Sequence, residues 1–147
     1  MATFKKGTSS ASVGRRKVLD LGTDSSLTLK PRHTNSIILC GGATCAVTLG
    51  NASTYPIGWN VMFVVNDETA VTTINGAVAD QMIGHVVTGH DNQNRQLQPT
   101  SAINFDRIIF TAGGLKGDWV ELTCISSGLF WVNGDARTTD KITCDSP

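Results

Sequence analysis

The chain has 147 residues, of which 40% are hydrophobic and only 16% are charged, with 15 glycines and 4 cysteines. This length fits about one domain, and the composition is typical of a turn-rich all-β protein rather than a helical enzyme or a disordered chain. The formal net charge is zero, but residues 1–17 hold five bases and no acid, so the remainder carries a charge of −5. That asymmetry predicts a basic N-terminal arm attached to an acidic body.

The predicted arm, residues 1–17, is rich in glycine, serine and threonine and shows no hydrophobic periodicity. Its bases are Lys5, Lys6, Arg15, Arg16 and Lys17. Two interpretations remain open: a solvated flexible leader, or a segment that docks onto an acidic surface. Because Phe4 is the arm's only aromatic residue and the body is acidic, we expect no specific nucleic-acid-binding fold.

Short apolar runs separated by glycine, proline, asparagine and serine predict about ten strands and no helix in residues 18–147. In chain order the runs are 18–21, 27–29, 35–40, 45–49, 59–65, 71–74, 82–87, 103–111, 119–125, 129–132 and 142–144. This pattern predicts an all-β, single-domain β-sandwich or jelly-roll-like barrel with an extended N-terminal arm.

Glycine-rich breaks predict hairpin turns between consecutive strands. On this reasoning, the runs at 35–40 and 45–49 pair across Gly41-Gly42, and the three runs from 103 to 134 form an antiparallel meander. The polar stretch 89–98 is expected to be an exposed loop, where a binding surface often lies.

The run Val61–Val65 is apolar without interruption, and strand alternation places Met62 and Val64 opposite Val61, Phe63 and Val65. Both faces of this strand must therefore be covered, one by the domain core and the other by a second sheet or a neighbouring subunit. Met62, Val64 and Trp131 are the candidate residues for a contact between copies.

Side chains that could act in catalysis or bind a metal are scattered along the sequence. His85, His90 and Asp91 fall on a strand and a loop without a fixed common face, so we predict no metal site and no cofactor. Asp118 and Glu121 are expected to be solvent-facing strand charges, and no glycine motif fits a phosphate loop. The sequence therefore predicts no catalytic residue and a protein that is not an enzyme.

The four cysteines Cys40, Cys45, Cys124 and Cys144 are expected to be reduced and packed as small apolar side chains, with a Cys40–Cys45 disulfide as the alternative. No stretch approaches the roughly eighteen apolar residues of a membrane span, and the N-terminus lacks the apolar segment of a signal peptide. We expect a soluble protein made in a cytoplasm, without a membrane partner.

Three segments, which cover about two-thirds of the chain, resemble small virion proteins of tailed bacteriophages. They are CAVTLGNASTYPIGWNVMFVVND (45–67), VTTINGAVADQMIGHVVTG (71–89) and IIFTAGGLKGDWVELTCISSGLFWVNGDA (108–136). The family's motifs are a VTLP-like strand that leads through a proline-containing loop to a Gly-aromatic-FVV strand, then an I-x-G region, then G-D-W-V-x-L followed by a turn and W-x-V-x-G. Gly50 stands where proline is usual, and Phe130-Trp131 replaces the usual aromatic pair.

The resemblance implies a capsid decoration (cement) protein: a homotrimer on the capsid exterior of the virion, assembled in the host cytoplasm. It would bind the major capsid protein and stabilise the shell. In that function, the basic arm becomes the candidate capsid-binding segment. The alternative is a receptor- or carbohydrate-binding module of a head fibre or tail, using the 89–98 loop and exposed aromatics such as Trp131 or Tyr55.

Overall fold

The computed structural model describes residues 16–22, 26–42, 44–50, 52–69, 71–77, 81–89, 96–99 and 104–145. These residues form thirteen strands: β1 Lys17–Asp20, β2 Ser26–Thr28, β3 Ser36–Cys40, β4 Thr44–Thr48, β5 Asn60–Val65, β6 Val71–Asn75, β7 Met82–Thr88, β8 Gln96–Gln98, β9 Asn104–Phe105, β10 Arg107–Phe110, β11 Trp119–Ser126, β12 Leu129–Ala136 and β13 Ile142–Asp145. Sheet A has the order β1-β3-β5-β11-β12-β7-β8, with β9 also paired to β7, and sheet B has the order β13-β10-β6-β4-β2.

The first six strands wind as a coil. Odd-numbered strands lie in sheet A and even-numbered strands in sheet B, so each turn of the coil contributes one strand to each sheet. Strands of successive turns are therefore parallel neighbours: β1 with β3, β3 with β5, β2 with β4 and β4 with β6. A consequence is that the starts of β1, β3 and β5 lie at one common end of sheet A.

This winding contradicts two of the predicted hairpins. The Gly41-Gly42 segment joins β3 to β4 by crossing from sheet A to sheet B, so the two strands do not pair. Likewise β10 pairs with β6 and β13 in sheet B, whereas β11 and β12 pair with each other in sheet A. The predicted three-strand meander is therefore wrong, and only its second half is a hairpin.

The core lies between the two sheets and is built from the inward residues of both. Alternate side chains of β5, β11 and β12 are buried on one face, and those of β4, β6 and β10 are buried on the opposing face. An aromatic cluster fills one end, where the ring centroid of Trp59 lies 4.5 Å from that of Tyr55 and 5.8 Å from that of Phe130. Such tilted and edge-on contacts add to the free energy of burial.

The predicted fold class is confirmed, because the chain is nearly all β and its two mixed sheets pack as a sandwich-like single domain. The described helical segments are two 3₁₀ turns, Pro31–His33 and Ala52–Thr54. Neither is long and apolar enough to cross a membrane. All four cysteines are buried, as expected, and no disulfide joins Cys40 to Cys45.

Candidate functional site

The outer face of sheet A is the most unusual surface of the described chain. Strand register aligns its outward side chains in three rows that run across the sheet. The first row is Val18, Ile37, Met62, Glu121, Asn133 and His85; the second is Asp20, Leu39, Val64, Trp119, Asp135, Val87 and Leu97; the third is Asn60, Thr123, Trp131, Ile83 and Asn104.

Ten of these outward side chains are apolar, and three of them remain exposed: Val18 by 57%, Leu97 by 54% and Trp131 by 43%. The other seven are half-buried. Apolar side chains therefore recur in all three rows of one outward face, which makes the outer face of sheet A the candidate interaction surface.

The outer face of sheet B provides an internal comparison. Its outward positions are mostly small and hydroxylated, with Val71, Ile109 and Arg107 as the larger members; the others are Ser26, Thr28, Thr44, Ala46, Thr48, Thr73, Asn75, Thr143 and Asp145. Arg107 forms a two-pronged ion pair with Asp145, at 2.6 and 2.8 Å. Because the two faces belong to one domain, their contrast does not follow from overall composition. Sheet B presents an ordinary solvated surface, and sheet A does not.

The structure places the predicted interface residues on one surface. Met62 lies in the first row, Val64 in the second and Trp131 in the third, with β11 between the strands that carry them. Sequence reasoning did not select Ile37, Leu39 or Trp119, although they share this face. The signal was present in Ile37-Ile38-Leu39, which is apolar on both sides of its strand.

The basic arm meets this surface at Arg16. The Arg16 guanidinium donates a hydrogen bond from Nη2 to Glu121 Oε1 at 2.9 Å, and its Nη1 lies 3.7 Å from Met62 Sδ. Lys17 is the first residue of β1, and its backbone N–H donates to the Asn35 carbonyl. Lys5, Lys6 and Arg15 lie outside the described residues. Arg16 and Met62, which were assigned to separate predicted surfaces, are thus in contact.

A small cleft of about 240 Å³ opens beside the second row, lined by Gly117, Asp118, Trp119, Asp135 and Arg137. The Asp118 side chain is almost fully buried, so the prediction that this carboxylate faces solvent is wrong. Its Oδ2 accepts from Leu115 N at 2.9 Å, and its Oδ1 accepts from the backbone and Nε of Arg137, each at 3.2 Å. These donors give the carboxylate a structural task, which is to fix the 115–118 turn against the end of β12.

Other predicted candidates have different environments. Tyr55 is buried, and its hydroxyl donates to the Leu29 carbonyl at 2.8 Å and accepts from Gly50 N at 2.7 Å, so it is not an exposed aromatic. The stretch 96–98, expected to be loop, is strand β8, while residues 90–95 of that loop lie outside the described chain. His90 and Asp91 are among them.

Trp131 has polar neighbours on the outer face. Its ring centroid lies 6.4 Å from that of His85, edge to face, and Thr123 is its direct cross-strand partner. Asn133 follows it outward on the same strand. Among the residues that the structure describes, no group of three or more His, Cys, Asp or Glu side chains could hold a metal ion.

Comparison of the sequence with protein-family models and with curated proteins finds no match.

Proposed function

We propose that this chain is a structural protein of a tailed-bacteriophage virion that binds the outer surface of the head as a homotrimer and stabilises the shell. It would act without catalysis, as a cement between copies of the major capsid protein. The observation that carries the proposal is the outer face of sheet A, which is rich in apolar side chains and is contacted by Arg16 near the end of the basic arm. The resemblance of segments 45–67, 71–89 and 108–136 to phage virion proteins supports the choice of assembly.

In this proposal the outer face of sheet A forms the contacts between copies. A stable protein interface buries about 800 Å² on each partner, with an apolar centre and a polar rim. The face supplies an apolar patch through Leu39, Val64 and Trp119. Asp20 and Asn104 lie toward its edges, and Glu121 and Asp135 lie beside the patch on the central strands. Residues 1–15 would remain available for the shell, because the arm joins the sheet at the edge strand β1, whereas Arg16 lies on the face itself.

The experiment mixes purified protein with undecorated phage capsids and measures co-sedimentation and the temperature at which the shells open. A variant that lacks residues 1–15 keeps Arg16 and all of β1, so it removes most of the predicted arm, with three of its five bases, and no residue of sheet A. We expect the full chain to bind and raise the opening temperature, and the shortened chain to bind far less. Equal binding by the two chains would remove the arm from the proposal, and no binding by either would reject the function.

A carbohydrate-binding function is the second candidate, because one specific observation favours it. Trp131 is exposed on a flat sheet, with the hydrogen-bonding side chains of His85, Asn133 and Thr123 around it. An indole flanked by polar groups suits the apolar face of a pyranose ring. A glycan array with Trp131→Ala as control separates the two, since a sugar-binding module loses its signals in that variant and a cement protein gives none.

A further inference from the structure

Strands β1 and β2 are edge strands of sheets A and B. The apolar outer face of sheet A does not explain what these open edges could bind. In the described chain, β1 is paired on one side only, with β3, and β2 on one side only, with β4. The backbone N–H groups of Lys17 and Leu21 donate to Asn35 and Leu39 of the neighbouring strand. By the alternation of a parallel ladder, the N–H groups of Val18 and Asp20 point toward the open edge. This edge can pair with another extended chain.

Three exposed bases lie near the start of this edge. Lys30 precedes the Pro31–His33 turn, Arg32 lies within it, and Lys17 begins β1 beside Asn35, two residues after that turn. All three residues are exposed, whereas His33, which follows Arg32, is buried and accepts from Lys30 N at 3.0 Å. In the sequence, four further bases, at positions 5, 6, 15 and 16, precede Lys17.

The turn that presents these bases is held in place by the core. The indole of Trp59, which is buried, donates from Nε1 to the Pro31 carbonyl at 3.1 Å. Its own backbone N–H donates to Pro56, and its carbonyl accepts from Cys124 N at 2.8 Å. The backbone of the turn that carries Arg32 is therefore attached to the aromatic cluster by a direct hydrogen bond, so a partner would meet this turn already positioned.

Charge and backbone together indicate the chemistry of the partner. An acidic segment complements the bases, and an extended backbone complements the outward N–H groups of Val18 and Asp20, which have no strand partner within the described part of the chain. Asp20, the acid of β1, lies at the opposite end of the strand from Lys17 and already accepts from Gly22 N. A nucleic acid fits less well, because the exposed indole of Trp131 is four strands away from β1 and bases bind by stacking on aromatic rings.

We propose that the β1 edge, together with Lys17, Lys30 and Arg32, is a docking site for an extended acidic segment of a partner protein, which adds to sheet A as a new edge strand. This deepens the proposed shell-binding function and rests on it: the partner segment would belong to the shell. The proposed shell-binding site then includes Lys30 and Arg32 of the folded body as well as the bases of the arm.

The test measures fluorescence anisotropy of labelled probes added to the full chain at about 50 mM salt, where charge pairs are weakly screened. The probes are a synthetic decapeptide of alternating glutamate and threonine, its counterpart with lysine for glutamate, and a ten-residue oligothymidylate. We expect the acidic peptide to bind and the lysine peptide not to bind. Equal affinity for both peptides, or tighter binding of the oligonucleotide, would overturn the proposal.

Two pairs of variants locate the site. Lys30→Glu with Arg32→Glu should weaken acidic-peptide binding at least tenfold, while Lys116→Glu with Lys141→Glu, at the other end of the strands, should leave it unchanged. Val18→Pro removes an outward N–H and should also weaken binding at least tenfold, whereas Val18→Thr keeps that N–H and should bind normally. Circular dichroism checks that each variant is folded. If both charge pairs weaken binding equally, the interaction is nonspecific and the site is wrong.

This assay contains no capsid, so its failure differs from failure of the proposed function. If the protein binds the capsids but not the acidic peptide, only the proposal that the β1 edge is a docking site is rejected. If the protein binds the acidic peptide but not the capsids, the phage function is rejected and the docking site is retained.

Discussion

Arg16 Nη2 lies 2.9 Å from Glu121 Oε1, although the two residues are 105 positions apart in the chain. Both side chains are partly solvated, 35% and 26% exposed, so the pair contributes at most about 1 kcal/mol to stability. Its importance is geometric. It fixes the end of the basic arm on the outer face of sheet A, beside Met62, and so brings the two surfaces predicted from sequence into one region.

Among the described glycines of sheet A, Gly84 leaves the least room for a side chain. A Cβ at this position would overlap the Val132 carbonyl oxygen of the paired strand, and the residue has a φ of +122°. We expect Gly84→Ala to lower the free energy of unfolding by more than about 3 kcal/mol. The control is Gly58→Ala, where φ is +88° but nothing lies within 4 Å, and where only backbone strain of about 1–2 kcal/mol is expected. Urea denaturation measures both, and equal losses would show that the approach to Val132 is not tight.

Asp118 fixes the turn before β11 through three hydrogen bonds to its buried carboxylate. We expect Asp118→Asn to cost about 2–4 kcal/mol, because an amide NH₂ then faces backbone donors and Arg137 loses its charged partner. Asp140→Asn is the matched control; Asp140 is exposed with a φ of +59°, a conformation that asparagine tolerates, so it should cost less than about 0.5 kcal/mol. Thermal unfolding followed by circular dichroism compares them. A loss at position 118 as small as that at 140 would contradict the structural task assigned to this carboxylate.

The environment of His33 predicts how the stability of the protein changes with pH. Burial, and then the positive charges of Arg32, Lys17 and Lys30, lower the pKa of His33 below its ordinary value of 6.5. The unfolded chain therefore binds the proton more readily, and stability present above pH 6.5 is lost as the pH falls toward the lowered pKa. The variant His33→Asn keeps an acceptor for Lys30 N, so its unfolding free energy should fall less between pH 7.5 and about 5.5. Identical pH profiles for the two proteins would contradict the environment described for His33.

The buried thiols predict low reactivity. Burial raises the pKa of Cys40 and of Cys144 to about 12, and burial also raises the pKa of Cys124. Because the thiolate is the reactive form, we expect no fast reaction with Ellman's reagent at pH 8 in the native protein and full reaction of all four thiols in denaturant. A thiol that reacts within seconds in the native state would show that at least one cysteine is accessible.

Sequence reasoning identified the strands but not their partners. The period of two, with glycine and proline at the breaks, located nearly every strand and so the all-β class. It could not separate a hairpin from a crossing between sheets, because both begin with a strand, a glycine turn and a second strand. Gly41-Gly42 and Gly113-Gly114 are therefore compatible with hairpins, yet each lies between strands of different sheets.

The candidate interaction surface could be predicted only in part, because it too depends on strand pairing that the sequence does not specify. Met62 and Val64 were identifiable because Val61–Val65 is apolar at every position, and Trp131 because it alternates with the buried residues Phe130 and Val132 of its strand. That the three share a face depends on β11 lying between β5 and β12, which is a long-range pairing. The burial of Asp118 and Tyr55 was missed since each depends on distant partners, Arg137 and Leu29, that carry no local sequence signal.

The most direct test of the account is the oligomeric state measured by sedimentation equilibrium for three proteins: the wild-type chain, Val64→Lys and Thr48→Lys. Val64 lies in the apolar second row of sheet A, whereas Thr48 is an outward residue of sheet B and serves as the matched control. The account predicts a wild-type trimer, a folded monomer for Val64→Lys and an unchanged trimer for Thr48→Lys. A wild-type chain that stays monomeric at every concentration, or a Val64→Lys variant that assembles normally, would contradict it.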